Sequence, residues 1–160
     1  MQANKNDQHL ITLHHATEAD FFEIKHFLKR HKQSSANRHD KVYIVRFQKR
    51  LIGIAKLVVI PNDSAIDQYW LRGLYIEAAH RKQGLASLLL KFIDQDLTEQ
   101  SIRTQVHVEI MAFPFAHLES FYLQNGYQFL KPTTLPSILK EPYQKACEQK
   151  KNWLSMHKVL

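Results

Sequence analysis

The sequence predicts an α+β, sandwich-like fold: a mixed, largely antiparallel, twisted sheet of about seven strands with helices on both faces. Three observations predict it. Seven short segments read as strands, at residues 10–15, 41–47, 51–60, 69–76, 103–111, 127–130 and 153–160. Those over 41–76 follow one another through short polar turns, as antiparallel strands do. The step from strand 69–76 through a helix to strand 103–111 needs a right-handed crossover and therefore a parallel pair in mid-sheet.

Each element has its own signal. After the alternating strand 10–15, Thr17-Glu18-Ala19-Asp20 reads as a capping motif opening a helix whose Phe21, Ile24, Phe27 and Leu28 face the core. That helix frays near Arg30 into the polar, basic stretch 29–40, either a loop or a short second helix. Gln48-Lys49-Arg50 turns one strand into the next, and Pro61-Asn62-Asp63-Ser64 makes the following turn. A central helix over 85–97 carries Leu85, Leu88, Leu89, Phe92 and Ile93 at i, i+3, i+4, i+7, i+8 spacing. In the strand after it, Val106, Val108 and Ile110 share one face, which leaves His107 and Glu109 on the other. A short helix over 115–124 ends at Asn125-Gly126, and residues 135–150 are mostly helical.

Composition narrows the function classes. A chain of 160 residues fits one domain, 1–160, with a polar and disordered start over 1–8. The longest apolar stretch, 51–60, is broken by Gly53 and Lys56, so neither a signal peptide nor a membrane span is expected. The single cysteine, Cys147, allows no internal disulfide and fits a cytoplasmic protein. No metal site is expected, because the ten histidines form no H-x-x-x-H or H-E-x-x-H pattern. A net charge of +7 favours acidic partners without saying which. Nucleic acid is disfavoured, since the aromatic residues fall on core periodicities and form no exposed stacking stripe.

Arg81-Lys82-Gln83-Gly84-Leu85-Ala86 joins the strand ending at Ile76 to the central helix. A helix start presents N–H groups without intrahelical acceptors and a partial positive charge. Gly84 lets a diphosphate come close to the backbone, and Arg81 and Lys82 add full charges. Gly73 suggests a bulge that interrupts the strand and frees main-chain groups.

With this order of elements the chain resembles the GCN5-related N-acetyltransferases, the GNAT family, over nearly its whole length. Two separated motifs carry the resemblance: Leu74-Tyr75-Ile76-Glu77-Ala78-Ala79-His80-Arg81-Lys82-Gln83-Gly84-Leu85-Ala86 and Phe121-Tyr122-Leu123-Gln124-Asn125-Gly126-Tyr127. The 16–20 opening and Gly53 also match. The resemblance implies the GNAT acyl-CoA N-acyltransferase fold, acetyl-CoA as donor and a primary amine as acceptor. It implies a diphosphate on Arg81, Lys82, Gln83, Gly84, Leu85 and Ala86, and a pantetheine arm along Leu74, Tyr75 and Ile76. The Leu74 N–H would then polarise the thioester carbonyl. Tyr122 is implied as the acid that protonates the departing thiolate, against the plainer role of a packed aromatic. Glu109 is the leading candidate base, set one residue further from the tyrosine than in relatives, with His107 as the alternative; either could equally be a hydrogen-bonded strand residue. Two departures are Phe115, where many relatives have asparagine, and Ala78, where they have proline.

The acceptor is expected to pass basic segments that carry Lys29, Arg30, Lys32 and Arg38 on one side and Lys131, Lys140 and Lys145 on the other. A small amine or amino-acid-like molecule suits them. The alternatives are a protein or tRNA amine, or a non-catalytic acyl-CoA sensor. The expected partners are thus acetyl-CoA and an amine, with no membrane, and a homodimer is an allowed assembly.

Overall fold

The computed structural model describes residues 10–160, so the expected disorder over 1–8 lies outside the described residues. Seven strands are hydrogen-bonded in the order β1-β2-β3-β4-β5-β7-β6. They are β1 Ile11–His15, β2 Lys41–Phe47, β3 Arg50–Ile60, β4 Ile66–Ile76, β5 His107–Ala112, β6 Gln128–Phe129 and β7 Met156–Val159. Four helices accompany them: α1 Phe21–Arg30, α2 Leu85–Thr104, α3 Glu119–Gln124 and α4 Ser137–Glu148. β4 and β5 pair in parallel, while β1 with β2, β2 with β3, β5 with β7 and β6 with β7 are antiparallel. The mixed sheet expected from the 69–111 crossover is present. No described helix is long and apolar enough to cross a membrane.

The chain divides into two compact units, one of the chain up to Val58 with Gly73–Ile93, the other of Val59–Arg72 with Asp94–Leu160. In the first, α1 buries Ile24, Phe27 and Leu28 against Val42 and Ile44 of β2 and Leu51 and Ile54 of β3. Each such side chain contributes roughly 1.5–3 kcal/mol on leaving water. Tyr43, on the opposite face of β2, meets Phe92 of α2 edge-on at 6.1 Å. Helices therefore cover both faces. In the second unit, Ile60, Met111, Phe113, Leu135 and Leu139 form a buried cluster with Trp70 packed against it. The other face of β4 there meets α2, where Gln100 Nε2 donates to Tyr69 Oη at 3.0 Å and to Asp67 Oδ2 at 3.1 Å.

Helix starts and stops depart from the expected ones for local reasons. The Thr17 N–H donates to Asp20 Oδ2 at 2.8 Å, but the capped turn Glu18–Asp20 is 3-10, and it leaves Phe21 40% exposed and off the core face. α1 ends in a Schellman motif: Lys32 has φ 54°, its N–H donates to the Lys29 carbonyl, and the Gln33 N–H donates to the Leu28 carbonyl. No second helix follows within 31–40. The β2–β3 hairpin turns on Gln48 and Lys49 alone, both at positive φ, with Arg50 already paired to Phe47. α2 runs on to Thr104, seven residues past the expected end, and stops before Gln105 at φ 56°. β5 accordingly starts at His107 and not at 103. Leu88 is exposed, and Leu90 takes its place beside Leu85, Leu89 and Ile93 in the core. α3 is shorter than the expected helix because 116–118 form a separate 3-10 turn.

Candidate active site

The phosphate-loop candidate lies in the first unit. Lys82 and Gly84 both have positive φ, 62° and 76°, so the loop reverses twice before α2. The Leu88 N–H donates to the Gly84 carbonyl at 3.0 Å, which makes Gly84 the cap. The N–H groups of Leu85 and Ala86 in the first turn then have no intrahelical acceptor. A Cβ built on Gly84 would meet nothing within 4 Å, so the space above this backbone is open. Arg81, Lys82 and Gln83 are all exposed beside it. Arg81 is held in place, with Nε donating to the Ile76 carbonyl at 2.8 Å and its guanidinium 5.1 Å from the Tyr75 ring centre.

Next to the loop, Glu77 is a buried hub. Its carboxylate accepts from Arg30 at 3.1 Å and Arg50 at 2.7 Å, and His31 Nε2 lies 3.3 Å away. His31 Nδ1 in turn lies 3.1 Å from the Tyr75 hydroxyl. The Glu77 N–H donates to the carbonyl of Ile52, beside the point where the β2–β3 register shifts. This network pins the end of α1 and the start of β3 to the strand that leads into the loop. Its members are far apart in sequence, and no spacing announces them.

Gly73 has φ 72° in the middle of β4, the left-handed backbone that a glycine bulge uses. A Cβ there would sit 2.8 Å from Lys56 Cε. Lys56 is 1% exposed, and its ammonium donates to the Ser34 carbonyl at 2.6 Å, the Ser34 hydroxyl at 2.8 Å and the Ser35 carbonyl at 3.2 Å. A buried ammonium is costly unless it is hydrogen-bonded, and this one fastens the 34–35 backbone to β3. The β4–β5 register ends at Leu71↔Ala112, so Leu74, Tyr75 and Ile76 lie beyond the parallel pairing.

The acid and base candidates lie in the second unit. Tyr122 on α3 is buried and edge-on to Phe121 and Tyr127, with centroid separations of 5.2 and 5.3 Å. Burial pushes its phenol up to about 12, so it stays protonated throughout the physiological range. Tyr127, buried and near Asp94, is likewise pushed well above its ordinary value, chiefly by burial. α3 is stopped by Gly126 at φ 88°, the expected cap. Lys158 reaches this corner from β7, ion-pairing with Asp94 and donating to the Asn125 carbonyl at 2.8 Å.

Glu109 is engaged on both oxygens. Gln68 Nε2 donates to Oε1 at 2.7 Å, and His157 Nδ1 lies 2.7 Å from Oε2. A carboxylate there makes Nδ1 the protonated nitrogen of His157 and leaves Nε2 as an acceptor, a tautomer assigned from the partner. β5 supplies Glu109, β4 its register partner Gln68, and β7 His157. Nothing along the chain marks His157, because only strand pairing brings it to Glu109. His107 lies exposed at the start of β5, with no side-chain partner among the described residues. Of the two departures from the family pattern, Phe115 bridges to Trp153 and stacks on His117, and Ala78 opens the 3-10 turn before Arg81. No described group of three or more His, Cys, Asp or Glu side chains could hold a metal ion.

This geometry agrees with a comparison of families. The model of the acetyltransferase (GNAT) domain matches residues 38–129, more than half of the chain. The chain belongs to the GNAT acetyltransferase family. No curated protein matches it significantly. Solved GNAT structures share its fold. N-acetylglutamate synthase of Neisseria gonorrhoeae, complexed with coenzyme A and N-acetyl-glutamate, is 14% identical with a TM-score of 0.65, over 94% of this chain and 35% of that one. This GNAT chain thus spans about a third of that enzyme. Naa50 of Arabidopsis thaliana, in complex with the bisubstrate analogue CoA-Ac-MVNAL, is 13% identical with a TM-score of 0.66, over 93% of this chain and 98% of that one. A GNAT acetyltransferase of Staphylococcus aureus Mu50 is 14% identical with a TM-score of 0.63, over 94% and 99%.

Proposed function

We propose that this GNAT protein transfers an acetyl group from acetyl-CoA to the primary amine of a small or amino-acid-like acceptor, by direct attack in a ternary complex. The observation that carries the reading is the 81–86 loop, with its open backbone at Gly84, its first-turn amides and its exposed cations. Acetyl-CoA supplies a thioester already activated for attack by nitrogen. The amides of Leu85 and Ala86 hold its diphosphate, assisted by Gln83 and by the charges of Arg81 and Lys82. The main chain of Leu74, Tyr75 and Ile76 receives the pantetheine as an added strand would, and the Leu74 N–H donates to the acyl carbonyl.

Tyr122 donates to the departing sulfur. The phenol is neutral throughout the physiological range and offers its O–H to the sulfur as negative charge builds there. The proton lost by the acceptor ammonium goes to the Glu109–His157 pair, in which the carboxylate orients the imidazole so that Nε2 receives it. His107, exposed and unengaged, is the alternative base. Of the cations expected to meet the acceptor, Arg30 is turned to Glu77, Lys145 to Glu141, and Lys29 lines a groove beside α1, whereas Lys32, Arg38, Lys131 and Lys140 have no ion pair among the described residues. These four favour an acceptor that also carries a carboxylate or phosphate.

A panel of polyamines, amino acids, aminoglycosides and peptides, followed by release of free CoA, tests the reading. Turnover on small amines is expected. Turnover confined to peptide N-termini or lysines would transfer the activity to protein acceptors, and salt-sensitive RNA binding would point to a tRNA amine. Acetyl-CoA binding without turnover of any acceptor would make the protein a sensor.

A further inference from the structure

A groove of about 690 Å³ runs between α1 and the 33–36 segment, wholly within the first unit. We propose that it is a binding site for a small apolar carboxylate, separate from the acetyl-transfer chemistry. Its floor is formed by Ile24, Leu28 and Ala36, which offer no side-chain hydrogen bonds, and Ile24 and Leu28 belong to the core. Its rim carries Phe21 and Phe22, 40% and 76% exposed, two aromatic side chains whose apolar surface stays in water. An apolar body covering them gains free energy in proportion to the surface it removes from water.

The charge on the groove selects the head group. Lys25 and Lys29 line it one helical turn apart, and among the described residues neither has an ion pair. Like charges at i, i+4 repel one another across a helix turn and destabilise the helix. Lys29 recovers some of that from its place in the last turn of α1, but Lys25 does not. The other charges of this helix are already used, Glu23 by Arg46 and Arg30 by Glu77. One carboxylate between the two ammonium groups relieves the repulsion and satisfies both. A protonated amine is repelled there, so the groove is not the seat of the acceptor's amino group.

The opposite wall is built in advance. Gln33 and Ser35 line it, and the Gln33 N–H donates to the Leu28 carbonyl at 2.8 Å. The buried Lys56 ammonium holds the carbonyls of Ser34 and Ser35. A ligand therefore meets a wall whose ordering is already complete. The volume falls in the small-molecule range of about 300–1,000 Å³, which favours a single small molecule over a peptide helix.

Calorimetry and 15N NMR on the full chain, with decanoate and decan-1-ol as probes, test the site. Decanoate should saturate at 1:1, shifting the amides of Phe22, Lys25, Lys29 and Ala36, and decan-1-ol should bind at least tenfold more weakly. The K25E/K29E variant should lose at least tenfold in decanoate affinity, with an unchanged far-UV spectrum and unchanged acetyl-CoA binding; K25Q/K29Q serves if charge reversal unfolds α1. Equal binding of the alcohol, undiminished binding by the charge variants, shifts confined to other residues, or tighter binding of an acidic amphipathic peptide would each overturn the proposal. Acetyl-CoA binding on the same samples reports separately on the acetyltransferase reading.

Discussion

The unit that holds the 81–86 loop and the unit that holds Tyr122 make their candidate sites by different means. In the first, backbone does the shaping: positive φ at Gly73, Lys82 and Gly84, and helix amides left open at the start of α2. In the second, side chains brought together from separate elements do it: Gln68 of β4 and His157 of β7 on Glu109, and Lys158 of β7 on Asp94 of α2. A backbone site depends on conformation and space, so it is damaged by added atoms. A side-chain site depends on donors and charge, so it is damaged by removing them.

The largest effect should come from Tyr122→Phe, which removes one oxygen from a packed ring. Turnover should fall by about 10²–10⁴-fold while acetyl-CoA affinity, measured by calorimetry, stays within a few-fold. The same variant should change the alkaline stability curve. The folded phenol is raised to about 12 from an ordinary value of 10, so its contribution is fully present below pH 10 and is lost as pH rises towards 12. The loss amounts to about 3 kcal/mol of unfolding free energy, and the phenylalanine variant should be free of it. An unchanged turnover would make Tyr122 a packing residue and leave the second unit without an acid.

Next comes a change that adds atoms in the first unit. Gly73→Ala must adopt φ 72° and place its Cβ 2.8 Å from Lys56 Cε. Chemical denaturation should show a loss of about 2–4 kcal/mol, from left-handed strain and overpacking together. A loss under about 1 kcal/mol would mean that β4 gives way easily and that the glycine serves only space.

His157→Gln and Glu109→Gln should each lower kcat/KM at neutral pH by about ten- to a hundred-fold, with recovery at alkaline pH, where the acceptor amine is already neutral. A deficit that is flat across pH would return the pair to a structural role and leave His107 as the candidate base. The smallest effect is expected at Gly84→Ala. It carries the same left-handed cost as Gly73→Ala, about 1–2 kcal/mol, but no clash within 4 Å. Its signature should be acetyl-CoA affinity lowered about tenfold with modest loss of stability. Unchanged affinity would show that the open space above Gly84 is not where the diphosphate lies.

Much of this was legible along the chain because it rests on local rules. The strand at 11–15 follows from alternation, those at 41–47 and 50–60 from apolar, β-branched runs bounded by turns, the crossover from the order strand, helix, strand, and the end of α3 from Gly126. Where a helix stops on a glutamine in the left-handed region, as at Gln105, the composition carries no warning. The overlong α2 and the late start of β5 both trace to Gln105, since nothing near residue 97 stops the helix and no glycine marks its end.

By itself the sequence determined the family, the succession β2-β3-β4 and the place of the 81–86 turn, because each depends on residues close together in the chain. Tertiary structure alone decided that Glu109 is held by His157 and Gln68, that Glu77 gathers two arginines and a histidine, and that Lys56 fastens the wall of the α1 groove. Those contacts join residues 21 to 48 positions apart. Hydrogen bonds form at about 3 Å through space, and separation along the chain does not constrain them until the sheet is assembled.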